Sequence, residues 1–93
     1  MMNFEEFKSR IISLEVVYSI RDKVPYEICS VQDNILTIKR ESTGKKVKIQ
    51  LDELYKFYTC ETEYTIKNAK EYINGYAYSP AVAVIKELVK YFS

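Results

Sequence analysis

Three lysines and one tyrosine are the residues best suited to binding an anion. Lys39 lies on a run that reads as a β-strand, Lys46 and Lys48 lie on the next run, and Tyr26 lies on the run before them. Because side chains alternate between the two faces of a sheet, we predict that all four share its outer face. Such a face can contact nucleic-acid phosphates and stack a base on the aromatic ring. The competing interpretation is a solvated face whose charges discourage pairing with other chains.

Tyrosine is the second feature, with nine in the chain. Tyr76 and Tyr78 lie in a predicted loop after Gly75, and we expect both to be exposed. Tyrosine has an apolar ring and a polar hydroxyl, and it is enriched at protein–protein contacts. The loop is therefore a candidate contact for a protein partner.

Two consecutive helices around Asn74-Gly75 allow comparison with a helix-turn-helix motif. A recognition helix needs polar side chains in its first turn to reach base edges. The last helix instead starts with Pro80-Ala81-Val82-Ala83, which offers none. A helical hairpin packed on the sheet is the better interpretation.

Residue types that carry catalysis or bind metals are scarce. The chain has no histidine, the commonest general base and transition-metal ligand. Cys29 and Cys60 have no CxxC spacing, and we predict two free, buried thiols. Glu61 and Glu63 are a weak carboxylate pair, and no phosphate-binding glycine loop occurs. We therefore expect no enzymatic activity, no cofactor and no metal.

Length and composition indicate one compact domain over residues 1–93. The formal net charge of +1 lacks the positive excess of a general nucleic-acid coat. No apolar run reaches the length of a membrane span, so we expect no membrane partner. The acidic, amphipathic start MMNFEEFKSR resembles neither a signal peptide nor a transit peptide. We therefore expect a cytoplasmic protein.

Residues 24–51 must position the lysines, and they read as three strands joined by two turns. Asp33 and Asn34 tolerate positive φ and Gly44 accepts it without steric cost, so the turns at Asp33-Asn34 and Thr43-Gly44 can both close tight two-residue hairpins. With two tight turns, both hairpin registers place the same residues on one apolar face: Cys29, Val31, Leu36, Ile38, Ile49 and Leu51.

The same registers make specific pairing predictions. Glu27 faces Arg40 as an ion pair, Glu41 faces Lys46, and Lys39 faces Lys48. The last pair is slightly destabilising because like charges repel, and an anionic partner would relieve it. A three-residue first turn would instead bury Ile28 in place of Cys29.

Helices are predicted on both sides of the strands. Asn3 and Glu6 have capping-box spacing, which predicts a helix from Phe4 to about Ile20. The β-branched stretch Val16-Val17-Tyr18 also suits a strand, and that alternative remains open. Helix-start signals at Asp52, Thr65 and Ser79-Pro80 predict three further helices, over about 53–60, 66–73 and 80–92, the last being the most buried.

The predicted fold class is α+β, a three-stranded antiparallel meander with one helix before it and three after it on one face. The predicted function is a non-catalytic binding or regulatory module that contacts a protein, a second copy of itself or a larger assembly. Tyr26, Tyr76 and Tyr78 are the candidate aromatic contacts. The alternative is a nucleic-acid-binding module that uses Lys39, Lys46 and Lys48.

Overall fold

The computed structural model describes residues 1–92 and contains four helices and four strands. In chain order these are α1 (Phe4–Ser13), β1 (Val16–Tyr18), β2 (Pro25–Gln32), β3 (Ile35–Arg40), β4 (Lys46–Gln50), α2 (Leu51–Cys60), α3 (Ile66–Ala69) and α4 (Tyr78–Phe92). The strands form one antiparallel sheet in the order β1-β2-β3-β4. The predicted α+β class is confirmed, with one strand more than expected.

The additional strand β1 consists of residues that were predicted to form the end of the first helix. Asn3 caps α1 as predicted, and its side-chain oxygen accepts from the amide of Glu6 at 2.8 Å. Glu15 has φ of 62°, a left-handed conformation that an α-helix does not continue through. The helix therefore ends before Val16, and the strand interpretation of residues 16–18 is correct. β1 pairs with β2 and places Val17 opposite Tyr26.

The first hairpin turn has the predicted two residues, and a β-bulge follows within β2. Asp33 and Asn34 both have positive φ, and Val31 faces Leu36 as expected. The register shifts between Ile28 and Ser30, so that Ile28, not Cys29, faces Ile38. An extra residue in one strand exchanges the faces of the residues before it.

The bulge corrects two sequence predictions about β2, the burial of Cys29 and the partner of Glu27. Cys29 is exposed, whereas Ile28 packs partly buried against the core. Glu27 faces Lys39 instead of Arg40, and Arg40 faces Tyr26. Cys60 is also exposed, so the prediction of two buried thiols is wrong.

The second hairpin has a five-residue loop, 41–45, instead of a two-residue turn. Ile38 consequently faces Val47 and Leu36 faces Ile49, a shift of two residues from the predicted register. An even shift leaves every side chain on its predicted face. Leu36, Ile38 and Ile49 are accordingly buried, and the apolar face exists without Cys29. Because Glu41 lies in the loop, its predicted pairing with Lys46 does not form.

The helices after the sheet begin close to their predicted positions. Leu51 starts α2 directly after β4 and is fully buried there, so it is not a strand residue and Asp52 is not the cap. The Thr65 hydroxyl caps α3 as predicted, accepting from Asn68 at 3.1 Å, but α3 ends at Ala69 instead of 73.

Helix α4 starts two residues before the predicted Pro80. Its buried residues form an almost continuous run: Pro80, Ala81, Val82, Ala83, Val84, Ile85 and Leu88. More residues of α4 are buried than of any other helix, as the sequence predicted. It packs beside α3, α1 and β1.

Candidate functional site

The three lysines predicted to bind an anion lie together on the outer face of the sheet. Lys39 on β3 faces Lys46 on β4, and Lys48 faces Thr37 two residues further along. These positions alternate with the buried residues Ile38 and Ile49. Lys39 therefore lies opposite Lys46 instead of the predicted Lys48, but the three lysines still share one face of the sheet.

One of the three lysines is held by an ion pair. The Lys39 ammonium Nζ lies 3.4 Å from Oε2 of Glu27, on the opposite residue of β2. A hydrogen bond to Glu27 and the attraction of its carboxylate raise the pKa of Lys39. Glu27 thus offsets the repulsion between Lys39 and Lys46, and no external anion is required to do so.

Tyr26 does not lie beside the lysines. It is only 6% exposed and belongs to the core, because the bulge moves it to the inner face. Its predicted position on the outer face is wrong, and the lysine cluster has no ring from β2 on which a base could stack.

Tyr76 and Tyr78 lie next to each other before and at the start of α4. Tyr76 is 89% exposed, as predicted, whereas Tyr78 is half-buried. Their ring centroids are 6.2 Å apart in an edge-to-face arrangement, and Lys70 Nζ lies 5.8 Å from the Tyr78 ring. The loop therefore presents one fully exposed aromatic ring.

Tyr72 and Glu61 form a hydrogen-bonded pair of ionisable side chains. The Tyr72 hydroxyl donates to the Glu61 carboxylate at 2.7 Å, which raises the pKa of Tyr72 to about 12. That hydroxyl is therefore a poor proton donor at neutral pH. Within residues 1–92, no cluster of three or more cysteine, aspartate or glutamate side chains is arranged to hold a metal ion.

Four surface grooves lie beside α4. One of about 630 Å³ lies between β1 and the end of α4, with Val16 and Tyr18 facing Tyr91 and Phe92. A second, of about 500 Å³, separates α4 from residues 62–65. A third groove, of about 320 Å³, is lined by Ile20 and Ile66. A fourth, of about 490 Å³, is lined in part by Met1.

Neighbouring grooves share wall residues. Lys90 lines the first and second grooves, Lys86 the second and third, and Tyr64 the second, third and fourth. We call this region the α4 surface. Its principal residues are Leu14, Val16, Tyr18, Ile20, Tyr64, Ile66, Lys86, Val89, Lys90, Tyr91 and Phe92.

Apolar groups are concentrated on the α4 surface. Six of the eight exposed large hydrophobic side chains line its grooves, namely Met1, Val16, Tyr18, Ile20, Ile66 and Tyr91. The other two are Ile12 and Tyr76. Scattered apolar residues are normal on a protein surface, and a group that lines neighbouring grooves is a candidate interaction site.

Four cations and three carboxylates line these grooves. Arg21, Lys23, Lys86 and Lys90 line them, against the carboxylates Glu6, Glu63 and Glu87. The two ion pairs within residues 1–92 are Glu6–Arg10 and Glu27–Lys39. None of the four cations forms a direct ion pair within residues 1–92.

Sequence reasoning did not identify this surface, because its walls come from elements distant in the chain. Assigning residues 16–20 to the first helix also concealed the strand that forms one wall. The available signal was the alternative interpretation of Val16-Val17-Tyr18 as a strand, which places two apolar side chains at the edge of the sheet.

Comparison with known protein families, with curated proteins and with solved structures finds no significant match. No helix among residues 1–92 is both long enough and apolar enough to cross a lipid bilayer.

Proposed function

We propose that this protein is a non-catalytic module that binds another protein through the α4 surface. The supporting observation is that six of the eight exposed large hydrophobic side chains line grooves that share their walls. Protein-binding surfaces combine an apolar, aromatic-rich centre with a polar rim. Tyr18, Tyr64 and Tyr91 supply the aromatic centre here, and the lysines supply the rim.

The positive charge of the lysine rim indicates which kind of protein would complement it. Lys86 and Lys90 lie one turn apart on α4, and each borders two grooves. A protein with acidic side chains around an apolar contact would complement them, and charge complementarity favours the correct partner over others. The proposal needs no cofactor and no metal.

Co-purification from the cells that produce the protein tests this function. The tagged chain is compared with Lys86→Glu and Tyr18→Ser, which change the rim and the apolar centre. Lys48→Glu, on the outer face of the sheet, and Tyr76→Ser, in the loop before α4, are the matched variants. Recovered proteins are measured by quantitative mass spectrometry, with circular dichroism to confirm folding.

The recovered amount of partner protein is expected to fall at least tenfold with Lys86→Glu or Tyr18→Ser. It is expected to stay unchanged with the matched variants. Loss only with Tyr76→Ser would assign binding to the loop, and loss only with Lys48→Glu would assign it to the sheet. Either result would contradict the role proposed for the α4 surface.

Nucleic-acid binding by the outer face of the sheet is the second candidate. The observation that favours it is the adjacency of Lys39, Lys46 and Lys48 on one face. Anisotropy titrations with single-stranded DNA and RNA would show affinity falling as salt rises. Reversing Lys39 and Lys48 to glutamate should abolish this binding, and binding that survives the reversal would exclude the sheet face.

A further inference from the structure

The free edge of β1 presents unpaired backbone groups. The amide of Ile28 donates to the Glu15 carbonyl at 2.7 Å, and the amide of Ser19 donates to the Val24 carbonyl at 2.9 Å. Hydrogen-bonded and non-hydrogen-bonded residues alternate along an antiparallel pair. Val17 therefore bonds to β2, and the backbone groups of Val16 and Tyr18 point away from it.

Three of those four groups are available to a new strand. The Val16 amide donates to the Leu14 carbonyl at 2.7 Å, so it is already engaged. The carbonyl of Val16 and both the amide and the carbonyl of Tyr18 remain at the edge. An exposed strand edge of this kind is a template for pairing with an added chain.

The groove of about 630 Å³ runs along this edge. Val16 and Tyr18 line it, whereas the Val17 side chain is buried on the inner face of the sheet and does not. The opposite wall is α4, through Glu87, Lys90 and Tyr91. A slot between a strand edge and a helix holds an extended peptide on both sides, by backbone bonds to the strand and side-chain contacts to the helix.

We propose that an extended, acidic segment of a protein partner adds to β1 as a fifth strand in this groove. The inference rests on the proposed protein-binding function and specifies how the partner binds. Lys23 and Lys90 line the groove and form no ion pair within residues 1–92, whereas Glu87 is its one carboxylate. The positive excess attracts an acidic segment and repels the same groove of a second copy.

The alternation of side chains along a strand defines the segment further. Residues beside Val16 and Tyr18, on one face of the segment, are expected to be apolar, and residues on its other face, beside α4, are expected to carry a carboxylate near Lys90. Because β1 has three residues, three to five residues of the partner engage the edge.

A random heptapeptide phage library, selected on the folded protein, tests this inference. Selected peptides are synthesised, labelled and titrated by fluorescence anisotropy. Each is also made with N-methyl groups on alternate amides, in the two possible phases. The protein variants are Lys90→Glu with Lys56→Glu, at an exposed site on α2, as its charge-matched control, and Tyr18→Ser with Tyr76→Ser as its aromatic control.

Selected peptides are expected to contain carboxylates and alternating apolar residues. Lys90→Glu and Tyr18→Ser should each weaken their binding at least tenfold, while both controls leave it unchanged. N-methylation in one phase only should weaken binding at least tenfold, and the Tyr18 amide resonance should shift on titration. The inference is overturned if no peptide binds, if Lys90→Glu binds equally well, or if both N-methyl phases bind like the parent.

Sedimentation equilibrium of the unmodified protein tests the remaining possibility, that a second copy of the protein occupies the edge of β1. A dimer that Tyr18→Ser dissociates would assign the edge to a second copy and overturn the peptide inference. If no peptide binds but the co-purified partner still depends on Lys86, strand addition is wrong and the proposed function stands.

Discussion

Glu27 on β2 and Lys39 on β3 lie directly opposite each other, with 3.4 Å between the carboxylate Oε2 and the ammonium Nζ. The pair lies on the outer face of the sheet, beside Lys46. Its presence reduces the free positive charge of the lysine cluster, so the cluster is a weaker anion site than three unpaired lysines would be.

Glu27→Gln should therefore strengthen any nucleic-acid binding by the outer face. Removing the carboxylate frees Lys39, and each added phosphate contact steepens the dependence of log K on log salt by about 0.7 for single strands. We expect an affinity gain of roughly two- to fivefold at low salt in an anisotropy titration. Because surface ion pairs contribute less than about 1 kcal/mol, the free energy of unfolding should change little.

Glu71→Gln is the control, since it makes the same charge change at an exposed site outside the sheet. An equal gain in affinity with this variant would mean that net charge, not the sheet face, determines binding.

The hydrogen bond between Tyr72 and Glu61 predicts a pH dependence of stability. The bond raises the pKa of Tyr72 to about 12, above the ordinary value of 10. A raised pKa stabilises the fold below pH 10, and that contribution is lost as the pH rises from 10 to 12. The stability difference between wild type and Tyr72→Phe should therefore be constant below pH 10 and shrink above it.

Urea unfolding at pH 8, 10 and 11.5 measures this difference, and Cζ-labelled tyrosine NMR measures the titration directly. Tyr76→Phe is the control, because the Tyr76 side chain is almost fully exposed. A Tyr72 resonance that titrates at the ordinary tyrosine pKa of 10 would contradict the assigned hydrogen bond.

The bulge at Cys29 predicts that alanine substitutions at two adjacent residues change the free energy of unfolding by different amounts. Ile28 packs partly buried against the core, so Ile28→Ala should lower the free energy of unfolding by about 1–2 kcal/mol. Cys29 is exposed, so Cys29→Ala should change it by less than about 0.5 kcal/mol. Chemical denaturation measures both. A larger loss of unfolding free energy for Cys29→Ala would indicate that Cys29 is buried and that β2 has no bulge.

The faces of β3 and β4 were predictable from the sequence because they depend only on alternation. Ile38 and Ile49 are buried, and Lys39, Lys46 and Lys48 lie opposite to them, even though the second loop is longer than predicted. An even register shift leaves the faces unchanged, so the error in loop length did not affect the face assignments.

The position of Tyr26 was not predictable in the same way. A bulge depends on how two strands and the core fit together, and no residue type near Cys29 marks it. The α4 surface was missed for a related reason, because β1, residues 62–66 and α4 meet only in the folded chain. Local signals were sufficient for caps, such as Asn3 and Thr65, which depend on neighbouring residues.

Two exposed β-branched residues four positions apart test where α1 ends and β1 begins. Ile12 lies in α1 and Val16 lies in β1. Alanine is the better helix former, whereas valine is the better strand former by up to about 1 kcal/mol. Val16→Ala should therefore lower the free energy of unfolding by about 0.5 kcal/mol, while Ile12→Ala should leave it unchanged or raise it slightly.

Urea denaturation followed by circular dichroism measures both variants, and Cα secondary chemical shifts at residues 16–18 report the backbone independently. Strand values there, with helical values at Ile12, are expected. If Val16→Ala stabilised the protein as alanine does in a helix, α1 would continue through residue 16. The free strand edge and the groove between β1 and α4 would then not exist.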